Sequence, residues 1–122
     1  MAMILHRPID AEPTLEEENA LFEMANLYPR DTGLPMTIWV SPKGNARHDV
    51  RVKVCRPHGD RMVIDDTAVV GVRPQPRLIE GPLPAPDLKA VAEWITLNEG
   101  ALVGYWDGEL STGEFVRLLK TV

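Results

Sequence analysis

The residues best suited to chemistry lie close together in the middle of the chain, where His48 and Asp49 precede Arg51 and Lys53. A histidine can exchange protons near neutral pH, and a neighbouring carboxylate can orient its ring, so this pair could serve acid–base catalysis. Successive residues of a strand, however, project to opposite faces of a sheet. On that geometry His48 shares a face with Val50 at the edge of the core, whereas Asp49 points away. The pattern therefore favours no catalytic residue, and a small hydrolase or nuclease around His48 is the third hypothesis.

Basic side chains form a second pattern in the same region. Residues 34–61 carry six bases and two acids, whereas residues 1–33 carry two bases and seven acids. Bases that stand off one strand can neutralise phosphates or meet an acidic partner. The candidate surface for an anionic ligand or partner consists of Lys43, Arg47, His48, Arg51, Lys53 and Arg56. One hypothesis is thus a nucleic-acid-binding protein that uses the basic hairpin 43–61. The alternative is that the acidic flanks of the chain neutralise these bases.

Metal ligands and cofactor motifs are sparse. Cys55 and His58 are the one close pair of ligand types, and a zinc site needs three or four converging ligands. No glycine-rich phosphate loop occurs, so the sequence predicts neither a metal nor a cofactor. A single cysteine allows no internal disulfide, and no apolar run reaches the length of a membrane span. These features predict a cytoplasmic protein without a membrane partner.

Local patterns predict the elements that must position these residues. Residues 1–13 lack periodicity and are expected to form a flexible arm before a single domain of residues 14–122. A capping box that begins at Thr14 and apolar residues at helical spacing predict a helix over residues 15–27. Alternating β-forming residues and turn residues then predict a small antiparallel sheet of three to five strands. Its candidate strands are residues 36–40, 50–56, 61–64, 67–72 and 77–80.

The apolar period becomes helical after the Gly/Pro-rich residues 81–84. Residues 86–106 predict either one kinked helix or two helices with a break near residues 98–100. A second capping box, from Ser111 to Glu114, predicts a short terminal helix. The predicted fold class is α+β, with an N-terminal helix, a small antiparallel sheet and a C-terminal helical hairpin packed on one sheet face.

The predicted hairpin carries more large apolar side chains than one thin sheet face can cover. Uncovered apolar patches on small domains usually mark an interface. Trp94, Tyr105 and Trp106 are therefore candidate residues of a protein interface. The expected partner is another protein or a second copy of the chain in a two-fold homodimer.

Several short motifs lie in order between residues 36 and 106. They are Ile38-Trp39-Val40, Arg47 to Val52, Leu78-Ile79-Glu80-Gly81-Pro82-Leu83-Pro84, Leu88 to Ile95, Asn98-Glu99, Leu102 and Trp106. This order resembles a bacterial family called domain of unknown function 4160. The resemblance implies a strand, a histidine-bearing strand, a proline-containing turn and a helix that ends near a tryptophan. Members of that family carry two histidines after paired prolines, whereas the segment from Lys43 to His48 supplies one histidine and no such prolines.

That family is suspected of belonging to paired small-gene systems of the toxin–antitoxin kind. The resemblance therefore implies a protein or nucleic-acid partner rather than a metabolite. The residues themselves show no convergent catalytic set, and their segregated charges suit electrostatic matching with a partner. The leading hypothesis is a non-enzymatic protein-interaction module of bacterial type, one component of a toxin–antitoxin-like or regulatory pair of small proteins.

Overall fold

The candidate residues lie on and beside an antiparallel sheet whose strands pair in the order in which they occur in the chain. The computed structural model describes residues 24–61 and 63–122. Within these residues the sheet has the order β1-β2-β3-β4-β5. Its strands are β1 Ala25–Leu27, β2 Met36–Val40, β3 Arg51–His58, β4 Thr67–Gly71 and β5 Arg77–Glu80. The helices are α1 Pro29–Thr32, α2 Ala85–Leu97, α3 Glu99–Trp106 and α4 Thr112–Leu118. The predicted α+β class is confirmed.

The alternation along β3 separates the two faces of the sheet. Val52 and Val54 are fully buried, whereas Arg51 is half-buried and Lys53 is exposed. The strand register aligns four members of one buried cluster across β1 to β4, namely Leu27, Ile38, Val54 and Ala68. The same cluster includes side chains of the three longer helices, namely Val91, Trp94, Ile95, Leu102, Tyr105, Trp106 and Phe115. We call this side of the sheet the core face, and it confirms the predicted orientation of β3.

Asn98 forms the break between α2 and α3, within the predicted interval. Its backbone N–H donates to the Trp94 carbonyl at 3.0 Å and to the Ile95 carbonyl at 3.1 Å. Its side-chain amide donates to the Trp94 and Lys120 carbonyls, both at 3.0 Å. Its Oδ1 accepts the Lys120 N–H at 2.7 Å. One buried asparagine thus ends α2 and fixes the C-terminal tail against it.

The beginning of α4 has the predicted capping box. Ser111 Oγ accepts the Glu114 N–H at 3.1 Å, and the Ser111 N–H donates to Glu114 Oε1 at 2.9 Å. These contacts hold the pKa of the Glu114 carboxyl below its ordinary value. Beyond α4, the Val122 N–H donates to the Thr32 carbonyl at 2.9 Å, so the tail reaches the end of α1.

Three predictions about the elements are wrong within the described residues. Ala25–Leu27 forms strand β1, with Ala25 and Leu27 buried, rather than the end of the predicted helix 15–27. Residues 63–66 form a turn rather than part of a third strand over 61–64, because β4 pairs directly with β3. Pro57 does not end β3, since a shift of register against β2 accommodates it. The arm 1–13 and residues 15–23 of the predicted helix lie outside the described residues.

Candidate functional site

The sheet face opposite the core carries a row of side chains in register across all five strands. Pairing aligns Asn26, Trp39, Lys53, Val69 and Glu80 from β1 to β5. Trp39 and Val69 are buried without belonging to the core cluster, whereas Lys53 and Glu80 are exposed. Side chains directly opposite each other on one face of an antiparallel sheet have Cβ atoms about 4.5–5.5 Å apart. The register therefore places the Lys53 side chain between Trp39 and Val69.

A cleft of about 310 Å³ lies over this row, and we call it the basic cleft. Its volume is at the lower end of the range for ligand sites in proteins. Among the described residues it is lined by Met24, Trp39, Ser41, His48, Arg51, Lys53, Thr67, Val69 and Glu80. Arg51 and Lys53 are its two fixed cations, and Glu80 is its one acid among these residues. The cleft thus offers more positive charge than negative charge to a ligand.

Arg51 is the residue in the cleft whose hydrogen bonding is incomplete. Its Nε atom is buried and has no hydrogen-bond partner within residues 24–61 and 63–122. The described ion pairs involve neither Arg51 nor Lys53. A buried donor without a partner costs about 1–3 kcal/mol. An anionic group bound in the cleft would be neutralised by the positive charges of the Arg51 guanidinium and the Lys53 ammonium group.

His48 lies just before β3, and its exposed side chain lines the basic cleft. The alternation of β3 begins at Arg51 and does not fix the face of His48, which lies at the edge of the core against Trp106 and also reaches the cleft. Its Nδ1 lies 2.8 Å from the Asp49 backbone carbonyl. A carbonyl only accepts, so Nδ1 carries the proton, and Nε2 is the nitrogen left for a ligand. The ring also contacts Trp106, with centroids 5.4 Å apart.

Asp49 has a partner other than His48. Its carboxylate accepts hydrogen bonds from Arg73 Nε at 2.8 and 3.1 Å and from Arg73 Nη2 at 2.8 Å. The hydrogen bond to the Arg73 guanidinium is the largest cause that lowers the pKa of Asp49 to about 2. The two carboxylate oxygens thus face a guanidinium rather than the imidazole, and no side-chain bond joins His48 to Asp49 in the described structure.

The remaining basic candidates do not line the cleft. Lys43 and Arg47 are exposed in the loop between β2 and β3. Arg56 Nη1 forms an ion pair with Asp66 Oδ1 at 2.6 Å. The predicted anionic-ligand surface therefore divides, and three of its six residues, His48, Arg51 and Lys53, come together in the basic cleft.

Six of the described residues of the cleft were not predicted from the sequence as site residues. Met24 precedes β1, Trp39 and Ser41 belong to β2 and its exit, Thr67 and Val69 to β4, and Glu80 to β5. Each is an ordinary residue of its own segment. No sequence pattern marks them as site residues. Only the register between the strands, which aligns Trp39 and Glu80 with Lys53, brings them to one place.

The predicted protein interface on the C-terminal helices is wrong. Trp94, Tyr105 and Trp106 are at most 4% exposed and belong to the core cluster. The Tyr105 ring stacks on Phe115, with centroids 4.5 Å apart. Helical spacing alone does not separate a core aromatic from a surface one, and these three side chains serve to pack the helices.

Outside the cleft, two metal-ligand types of side chain, His58 and Asp87, lie close together. His58 Nε2 lies 3.0 and 3.1 Å from the two carboxylate oxygens of Asp87, which is buried in the first turn of α2. Within residues 24–61 and 63–122, no three His, Cys, Asp or Glu side chains are grouped to hold a metal ion. No helix in these ranges has the length and apolar character that crossing a membrane requires.

No protein-family model, curated protein or solved structure matches this chain. The resemblance to domain of unknown function 4160 therefore stays a prediction from the motifs. The geometry of the basic cleft is the basis for a functional proposal.

Proposed function

We propose that this protein is a non-enzymatic binding module of a bacterial regulatory pair, whose basic cleft binds an acidic segment of a partner protein in the cytoplasm. The convergence of Arg51, Lys53 and His48 on one cleft carries the proposal. Neither Arg51 nor Lys53 belongs to a described ion pair. Both charges are therefore free to bind a carboxylate of the partner by charge-assisted hydrogen bonds.

One feature favours a protein ligand over a nucleic acid. Among the described residues that line the cleft, Trp39 is the only phenylalanine, tyrosine or tryptophan, and at 5% exposure it offers no face on which a base could stack. In this arrangement the C-terminal helices cover the core face as a hairpin and leave the cleft face to the partner.

The test is the binding of a fluorescein-labelled hexaglutamate peptide, followed by fluorescence anisotropy at low salt. The parent should bind this peptide and should not bind labelled hexalysine, although the overall charge of the protein favours the opposite order. Arg51→Gln/Lys53→Gln should weaken binding at least about tenfold, since a hydrogen bond to a charged group contributes about 1.5–3 kcal/mol. Lys89→Gln/Arg117→Gln is the matched control, because it removes two exposed positive charges outside the cleft and should bind like the parent.

The same assay with labelled oligo(dT) separates the two classes of partner. Preference for hexaglutamate that depends on Arg51 and Lys53 supports the proposal. Binding of oligo(dT) without binding of hexaglutamate would replace it by the nucleic-acid hypothesis for hairpin 43–61. Equal loss of peptide binding in the cleft variant and the control variant would show that overall charge, rather than the cleft, is responsible, and would refute the proposal.

A further inference from the structure

Strand β5 is an open edge of the sheet. Within residues 24–61 and 63–122 it pairs only with β4. All four of its residues are exposed, and its apolar residues Leu78 and Ile79 are 38% and 42% exposed. An edge strand presents unpaired backbone N–H and C=O groups, which proteins usually protect with lysine, proline, a bulge or a covering element. The register against β4 shifts between Val69 and Val70, which leaves one extra residue in β5, but the four residues of β5 include no lysine or proline and no described element covers their outer edge.

The order of residues in β5 is self-complementary. Arg77 stands at one end and Glu80 at the other, with the two apolar residues between them. When two copies pair antiparallel about a two-fold axis, Arg77 of each copy lies opposite Glu80 of the other. Regular alternation would place residues 77 and 80 on opposite faces, but the register shift against β4 adds one residue to β5. Arg77 therefore pairs with Gly71 and Glu80 with Val69, two residues apart in β4, so both side chains project from the same sheet face. The described ion pairs involve neither of them, so both are available for cross-strand pairs.

An apolar groove continues this surface beside the start of β5. The groove is shallow and open, has a volume of about 510 Å³, and is lined by Gln75, Pro76, Lys89, Ala92, Glu93, Thr96 and Leu97. Leu97 is 43% exposed. A pair of four-residue strands is small beside the roughly 1,200–2,000 Å² that stable interfaces bury, so covering this groove supplies area that strand pairing lacks. Lys89 and Glu93 place one charge of each sign in the groove, which also suits a self-complementary contact.

We propose that two copies of this chain associate through β5, antiparallel and with Arg77 of each copy opposite Glu80 of the other. The product is one continuous sheet that joins the five described strands of each copy, with a two-fold axis between the two β5 strands. The interface is distinct from the buried aromatics of the C-terminal helices. It requires no ligand in the basic cleft, although Glu80 belongs both to this interface and to the lining of the cleft.

The test reverses the charge of Arg77 or of Glu80 and measures the particle mass by light scattering over a series of protein concentrations, without ligand. The parent should reach the mass of two chains. Arg77→Glu and Glu80→Arg, each alone, place like charges opposite each other at both ends of the junction and should remain at the mass of one chain. An equimolar mixture of these two variants restores opposite charges at both ends, and it should return to the mass of two chains.

Arg117→Glu is the control, because it makes the same change of charge on an exposed face of α4 and should leave the parent mass unchanged. All substituted residues are exposed, so far-ultraviolet circular dichroism should show parent-like secondary structure in each variant. A parent that stays at the mass of one chain at the highest concentration overturns the proposal. Single variants that still reach the mass of two chains, or a mixture that does not, overturn it as well.

Discussion

Asn98 provides a direct test of how the C-terminal tail is held. Its buried side chain makes three hydrogen bonds, one to the Trp94 carbonyl and two to the backbone of Lys120. Asn98→Ala removes all three bonds and leaves the Trp94 carbonyl with the backbone N–H of residue 98 as its donor. We expect this substitution to loosen the end of α2 and release the tail together.

The magnitude follows from the number of bonds. A protein hydrogen bond contributes about 1 kcal/mol net, so the loss of three predicts a decrease of about 2–3 kcal/mol in the free energy of unfolding. For a chain of this length, 1 kcal/mol corresponds to about 4 °C in Tm, and the expected decrease in Tm is about 8–12 °C. Asn26→Ala, at an exposed position of β1, should change the free energy of unfolding by less than about 0.5 kcal/mol.

Urea denaturation of four proteins gives the test: the parent, Asn98→Ala, a chain shortened by residues 120–122, and the combination. Two of the three side-chain bonds end on Lys120, so Asn98→Ala should cost only about 1 kcal/mol in the shortened chain. The difference between the two costs is the coupling between Asn98 and the tail. Equal costs in the full and shortened chains would refute the assignment of these bonds.

Two further predictions concern the sheet. Val52→Asp places an unpaired carboxylate on the core face and should lower the free energy of unfolding by several kcal/mol in urea denaturation, whereas Lys53→Asp on the exposed face should cost less than about 1 kcal/mol. Asp49→Asn should cost less than about 1 kcal/mol at pH 7, because the Asp49–Arg73 pair is partly exposed and screened by solvent. The pKa of Asp49 is lowered from 3.8 to about 2 in the folded state, so its contribution is present above pH 4 and is lost as the pH falls towards 2. Denaturation midpoints of the parent and the Asn variant should converge over that interval, and a constant difference would contradict the assignment.

Features with a local signal were predictable from the sequence. Ser111 and Glu114 satisfy each other's backbone within one helical turn, so four residues are enough to identify the start of α4. The alternation around Val52 and Val54 likewise states which side of β3 is buried. The break at Asn98 follows from its own hydrogen bonding and from the weak helix-forming residues after it.

Features that depend on contacts distant in the chain were not predictable. Ala25–Leu27 is a strand because β2 pairs with it, and the helical spacing of apolar residues around it gives no sign of that partner. The residues of the predicted basic surface likewise lie apart in the fold, because Arg56 forms an ion pair with Asp66 whereas Arg51 lines the cleft. A one-dimensional charge pattern states how many bases are present, but the sheet decides which of them converge.

The hydrogen bond from the Val122 N–H to the Thr32 carbonyl also bears on the order in which the protein folds. Closing so long a loop costs chain entropy that only many simultaneous contacts can offset. We therefore expect the tail to dock onto a sheet and a helix end that already exist, so that its contacts form after the rate-limiting step. Removal of residues 120–122 should consequently accelerate unfolding in stopped-flow experiments and leave the refolding rate nearly unchanged. This result would mean that the contacts of the tail slow unfolding without being needed for the fold to form.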